Sequence, residues 1–285
     1  MSLTPKAGTL AGFNLSGLLG DQDASALANN TGLFDSGGLS VPPFASGLAL
    51  QQSASFTPNQ ISGLSVWLRG DVGLNQAAGN VTLWSDQSGN GNDFSANLAT
   101  VSYTASSVGG KPAATFAGGN LLCPSSVLGA GSARTVYAVV RANNPSAAQI
   151  LTFRRGTTFW QMLYGSTGAT FASLAFTDGV NPTCNATLSP GIGVHGVPYV
   201  IALTAPTAGV GVFMSEWING VAQTLTGQTF GWVAETGAAG IQLGGGVGVT
   251  SNFSGDISEI LVYAGSHTAG QVAQVTAYER AKYGF

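Results

Sequence analysis

Acid–base chemistry would need carboxyl groups, and the chain offers few glutamates. Glu216, Glu235, Glu259 and Glu279 are all of them, and each stands alone in its own stretch. Hydrolysis of a glycosidic bond requires two carboxyl groups facing that bond, and no strand-spaced pair of glutamates meets the requirement. The histidines are His195, in the Gly-rich turn GIGVHGVP, and His267. No Gly-x-Ser-x-Gly precedes a helix, and Gly244-Gly245-Gly246 lacks the strand–turn–helix setting of a phosphate loop. No catalytic residue and no enzyme activity are expected.

Two binding chemistries remain. Asp86, Asn90, Asn92 and Asp93 place hard oxygens in one Gly-containing loop, an arrangement that calcium favours. The same residue types cap turns through bonds to their own backbone, which is the commoner role. Calcium is the only cofactor these residues suggest. A sugar would need an exposed aromatic platform, for which Trp160, Trp217 and Trp232 are candidates. The competing role is core packing, since an aromatic side chain buries ~150–250 Å².

The elements that must position these groups are mostly strands. Val66 and Leu68 alternate with Trp67 and Arg69, and Thr135 to Arg141 reads as a strongly buried strand. Ile150 to Phe153, Thr158 to Tyr164 and Thr170 to Phe176 read as a three-strand meander, and Thr115 to Leu122 as a hairpin turning at Gly118-Gly119. Asn219-Gly220 is the strongest hairpin turn, because both positions tolerate positive φ. Short strands between Gly, Pro and Asn turns predict an all-β sandwich of antiparallel strands. One helix closes the chain. Thr268 stands three residues before Gln271, a capping-box spacing. Val272, Val275, Tyr278 and Ala281 form its apolar stripe, and Gly284 suits the left-handed position that ends it. Glu259 lies in the strand before that helix, where a buried backbone amide or an Arg is the expected partner.

Residues 1–60 differ from 61–285. Phe13, Leu18, Leu19, Leu33, Phe34 and Phe44 recur among Gly, Ser, Asn and Asp without helical or alternating period. A disordered linker is poor in such residues. The segment therefore reads as an extended arm whose anchors dock on its own domain or on a neighbour.

Composition narrows the partners. Charged residues are 7% of the 285, against roughly 25% in typical globular proteins. A net charge of -3 opposes self-association weakly, so a homo-oligomer or multi-copy assembly is expected. The nine Lys and Arg form no basic stripe, so no nucleic-acid partner is expected. The longest uncharged run, between Asp178 and Glu216, is broken by four prolines and predicts no membrane span. No signal peptide is apparent, and Cys123 and Cys184 read as free thiols.

Several of these stretches together resemble a known family. Leu64 to Arg69 with Asp71, Trp84 to Asp93, Gly110-Lys111-Pro112, Trp217 to Gly220, and Gly255 to Tyr263 with Lys282-Tyr283-Gly284 are similar to a laminin-G-like, concanavalin A-like jelly roll. The resemblance covers residues 61–285. It implies two antiparallel sheets with one short C-terminal helix. Glucanases of that fold carry a Glu-x-Asp-x-x-Glu strand motif, which this chain lacks. Domains of this version are similar to ones in virion proteins of tailed phages and in secreted bacterial proteins. With the apolar arm, the resemblance implies a capsid decoration or cement protein. Its partners would be the major capsid protein or neighbouring virion subunits, and it would reside in a virion assembled in the host cytoplasm. The alternative is a carbohydrate-binding module of a tail fibre or a secreted bacterial protein. Fold alone does not choose between them.

Overall fold

The computed structural model describes residues 56–143, 148–155, 158–166, 171–176, 184–186, 195–209, 214–225, 239–245 and 253–285. The proposed arm anchors Phe13, Leu18, Leu19, Leu33, Phe34 and Phe44 lie outside the described residues. In chain order the first strands are β1 (Leu64–Arg69), β2 (Leu74–Ala77), β3 (Asn80–Trp84), β4 (Phe94–Leu98), β5 (Val101–Thr104) and β6 (Ala113–Ala117). Then come β7 (Asn120–Cys123), β8 (Arg134–Ala142), β9 (Ala148–Arg155), β10 (Thr158–Ser166), β11 (Phe171–Phe176) and β12 (Cys184–Ala186). The last are β13 (Pro198–Ala205), β14 (Ser215–Ile218), β15 (Val221–Ala222), β16 (Ala239–Leu243), β17 (Ser254–Ala264) and the helix α1 (Ala269–Tyr283).

The fold is an antiparallel β-sandwich with one short C-terminal helix, as the sequence predicts. One layer runs β15–β14–β13–β8–β17, with β6 and β1 pairing successive halves of the far side of β17. The other runs β2–β3–β4–β7–β16–β9–β10–β11–β12. The expected β9–β10–β11 meander is present. The expected hairpin at Gly118-Gly119 is not. β6 pairs β5 and β17 whereas β7 pairs β4 and β16, so the two glycines carry the chain from one layer to the other. The Asn219-Gly220 turn forms as expected, with φ of 50° and 83°, and joins β14 to β15.

Side chains of both layers meet in one apolar cluster that includes Trp84, Phe94, Leu121, Ala138, Ile201 and Ile260. Cys123 is a buried free thiol there, and burial pushes its pKa up. At ~25 cal/mol per Å² such burial is the main stabilising term, offset by chain ordering.

β17 is the strand the rest depends on. Gly255 to Tyr263 are all buried. Antiparallel sheets commonly leave one face to water, but here α1 covers the second face of this layer. A bulge decides which side chains face which way. Ile257 pairs Val140 and Glu259 pairs Val139, so Ser258 is the extra residue. Ile257, Ile260 and Val262 therefore enter the sandwich core, while Leu261 and Tyr263 join the cluster under α1.

The helix begins and ends where its caps require. Gln271 N donates to Thr268 Oγ1 (3.3 Å), Thr268 N donates back to Gln271 Oε1 (2.9 Å), and Gly284 has φ 73°. The buried stripe differs from the one read in the sequence. It comprises Val272, Val275, Thr276, Glu279 and Tyr283, while Ala281 is exposed and Tyr278 half-buried. A glutamate occupies a place that the apolar pattern assigns to no charge. The segment before β1 is fastened to the same region: Tyr263 Oη donates to Pro58 O (2.9 Å) and Phe56 meets Tyr278 edge-on at 6.3 Å. Among the described residues no helix is long and apolar enough to cross a membrane.

Candidate functional site

The loop between β3 and β4 brings Asp86, Asn90, Asn92 and Asp93 together, and protein groups engage both oxygens of Asp86, Oδ1 of Asp93 and the two side-chain amides. Asp86 Oδ1 accepts from the backbone N–H of Trp67 (2.8 Å) and Ser88 (2.9 Å). Asp86 Oδ2 accepts from Ser88 Oγ (2.7 Å) and Asn92 N (3.0 Å). Asp93 Oδ1 accepts from Asp86 N (2.7 Å). Asn90 and Asn92 donate their amides to the carbonyls of Leu64 and Ser65 at 2.9 Å. The arrangement is a self-capped turn that holds the start of β1. Calcium binding there would have to compete with four protein donors on Asp86. Among the described residues no three His, Cys, Asp or Glu side chains gather as a metal cluster.

A second constellation lies between β17, the end of β1 and the last turn of α1. Glu259 is fully buried. Its Oε1 accepts from the Trp67 indole N–H (2.5 Å), and its Oε2 from Lys282 Nζ (2.7 Å) and Tyr283 Oη (2.9 Å). Lys282 also reaches Asp71 Oδ1 (2.9 Å), and Arg69 grips Asp71 with Nη2 (2.9 Å) and Nε (3.2 Å). Burial works against the charged form of Asp71, but the Arg69 and Lys282 contacts outweigh it and hold its pKa at about 2. The Ser258 bulge is what turns Glu259 toward α1. Its partners are thus a lysine, an indole and a phenol, not the backbone amide or Arg expected. This network clamps the C-terminal helix to the sheet. Each residue stood in the stretches that carried the family resemblance, yet nothing in the spacing showed that they meet.

Asp256, three residues earlier, is buried and equally well supplied. Its Oδ1 accepts from Thr115 Oγ1 (2.6 Å), and its Oδ2 from Ser107 Oγ (2.7 Å) and Arg141 Nη2 (2.5 Å).

Two other carboxyls are treated differently. Glu279, on the buried face of α1, has neither oxygen hydrogen-bonded. Burial and then the charge of Glu259 push its pKa well up, against the pull of Lys282. Glu216, on β14, is 1% exposed and has both oxygens unbonded. It alternates with Met214 and Ile218, which belong to the sandwich core, so it faces the core. Burial alone raises its pKa to about 8. Sequence reading missed both features. The signal for Glu216 was its place two residues before Ile218 in a strand. Nearby, His267 shares a 2.8 Å hydrogen bond with Tyr137 Oη, and burial lowers its pKa to about 4.

The aromatic candidates divide. Trp217 packs against the cluster under α1 and is no platform. The side chains of Trp160 and Trp232 lie outside the described residues, as does Glu235. Trp84 and Trp67 are buried. The large apolar side chains that stand exposed among the described residues are Val72, Val197 and Val221, none of them aromatic.

No protein-family model matches the sequence, and no curated protein matches it. Solved structures do match in fold. Domain 4 of AbnA, an extracellular GH43 arabinanase from Geobacillus stearothermophilus, solved with arabinotriose, superposes with TM-score 0.54 at 16% identity, over 75% of this chain and 98% of that one. The binding domain of Paraclostridial Mosquitocidal Protein 1 gives TM-score 0.54 at 10% identity, over 76% of this chain and 52% of that one. Trypanosoma rangeli sialidase gives TM-score 0.53 at 15% identity, over 77% of this chain, which spans 33% of the sialidase. At such identities the likeness is one of fold alone, that of a β-sandwich.

Proposed function

We propose that the sandwich is a non-catalytic carbohydrate-binding module. The observation that carries this reading is the match over almost the whole of the arabinanase domain, a domain of similar fold whose structure is in complex with arabinotriose. The carboxyls add support for a module without chemistry of its own. Glycoside hydrolysis needs two carboxyl groups open to substrate, whereas Glu259 is saturated within the helix clamp and Glu216 and Glu279 are sealed from solvent. Trp67, Trp84 and Trp217 are committed to packing, so the stacking role falls to Trp160 or Trp232. Sugar rings stack on such faces while a few polar groups fix their orientation.

The experiment is a glycan array with the full chain, followed by calorimetry with arabino-oligosaccharides and sialylated sugars, each with and without a chelator. Saturable binding to one glycan class, weakened by Trp160→Ala or Trp232→Ala, is the expected result. An array without hits refutes the reading, and sugar release from a polysaccharide panel refutes its non-catalytic part. Binding lost on chelation assigns calcium to the glycan site. The capsid-decoration reading rests on the family resemblance, on the absence of a catalytic carboxylate motif and on the apolar anchors from Phe13 to Phe44, and deletion of residues 1–55 tests it through attachment to shells.

A further inference from the structure

The β14–β15 hairpin and α1 share a seam. Trp217 of β14 packs into the cluster that holds Val272 and Val275 of α1, and the turn residue Gly220 lies against Thr276, whose Cγ2 would sit 3.4 Å from an added Cβ. Each of the two elements carries a buried carboxyl with no hydrogen bond: Glu216 on the core side of β14, and Glu279 on the buried face of α1, one turn beyond Thr276. Thr276 Oγ1, in the same seam, is buried and unbonded too. A carboxyl in that state tolerates burial only while neutral.

We infer that this seam is a pH-sensitive element, closed in mildly acidic surroundings and loosened as the surroundings turn alkaline. The groups that bear on Glu279 are Glu259 and Tyr263 of β17, Tyr137 of β8, and Tyr278, Lys282 and Tyr283 of its own helix. Lys282 opposes its protonation but is already shared between Glu259 and Asp71. No charged group among the described residues offsets the burial of Glu216.

The direction follows from linkage. Between the ordinary glutamate range and about 8, the folded chain keeps a proton on Glu216 that the unfolded chain has released. Each pH unit in that window shifts the unfolding constant roughly tenfold toward the unfolded state for each such group. Glu279 acts in the same direction. His267 acts oppositely, but only from its unfolded value of 6.5 down to about 4. Asp71 changes stability with pH only between its ordinary 3.8 and about 2, and its contribution is constant above that. Between pH 6.5 and 8 the two glutamates therefore act without opposition from these groups.

Urea unfolding of the full chain at pH 5.5, 6.5 and 8.0, alongside Glu216→Gln/Glu279→Gln, tests this. The wild-type unfolding constant should rise at least about tenfold from pH 6.5 to 8.0, and the double variant should abolish the rise. A wild type equally or more stable at pH 8.0 overturns the inference, as does a dependence that survives in the variant. Hydrogen exchange on the wild type serves if the variant does not fold. Amides of 215–222 and 269–283 should gain exchange at pH 8.0 beyond the intrinsic rate and ahead of 134–142. Equal protection of all three segments at both pH values overturns the seam's role.

Discussion

The layer that carries α1 buries its carboxyl groups in two opposite ways. At the β1–β17 end, Glu259 receives three donors and Asp256 nearby receives donors from Thr115, Ser107 and Arg141. On the core face of β14 and on the buried face of α1, Glu216 and Glu279 receive none. Burial alone does not separate them, since all four are at most 2% exposed. The donors do. A carboxylate taken out of water is tolerable when charge-assisted hydrogen bonds replace its hydration, and otherwise it keeps its proton. The first two are therefore held by charge, and the other two stay buried only while neutral.

Removing a partner at the charged end should have the largest effect. Asp256→Ala leaves Arg141, Thr115 and Ser107 without their shared acceptor, and Glu259→Ala leaves Lys282, Trp67 and Tyr283 without theirs. Each should cost about 3–5 kcal/mol, the usual penalty for breaking a buried pair, read as a lower urea midpoint at pH 7 with unchanged slope. For the neutral pair the sign reverses. Glu279→Leu and Glu216→Met remove oxygens that have no partner and supply apolar volume, and each should stabilise by about 1–3 kcal/mol at pH 7. Destabilisation by both would mean that the two pairs are alike after all.

Much of the sandwich was legible in the sequence because strand alternation and turn chemistry are local. Asn219-Gly220 had to turn, Thr268 with Gln271 had to start a helix, and the Asp86 loop had to cap itself if it held no ion. Three features were not legible, each for a non-local reason. The Gly118-Gly119 step reads as a hairpin in the sequence because turn residues mark a reversal without saying which strand receives the chain. Glu259 was seen in its strand, but its partners lie on β1 and α1, and the Ser258 bulge that aims it leaves no mark in an alternation pattern. Glu216 and Glu279 broke the apolar rule outright. The apolar pattern consequently runs the helix stripe through Tyr278 and Ala281, whereas the buried line runs through Thr276 and Glu279.

A smaller effect separates the helix's own stability from its clamp. Thr268→Ala removes the acceptor for Gln271 N and should cost about 1 kcal/mol. Since the clamp grips the other end of α1, amide exchange should rise in the first turn and stay unchanged near Lys282. Exchange rising along the whole helix would show that the cap, and not the charged end, keeps α1 docked.

The smallest expected effect concerns the charged end's rim. Asp71 sits 24% exposed between Arg69 and Lys282, so water screens both contacts and the pair is worth about 1 kcal/mol or less. Asp71→Asn keeps the shape and removes the charge. Because the folded carboxyl is held at about 2, below its ordinary value of 3.8, its contribution is complete above that ordinary value and lost as pH falls through about 2. Wild type and Asp71→Asn should thus differ slightly at pH 7 and converge near pH 2. A loss at pH 7 as large as that of Glu259→Ala would move the centre of the clamp from the buried Glu259 to its solvent edge, and the contrast between saturated and unsaturated carboxyls would then reflect exposure and not the supply of donors.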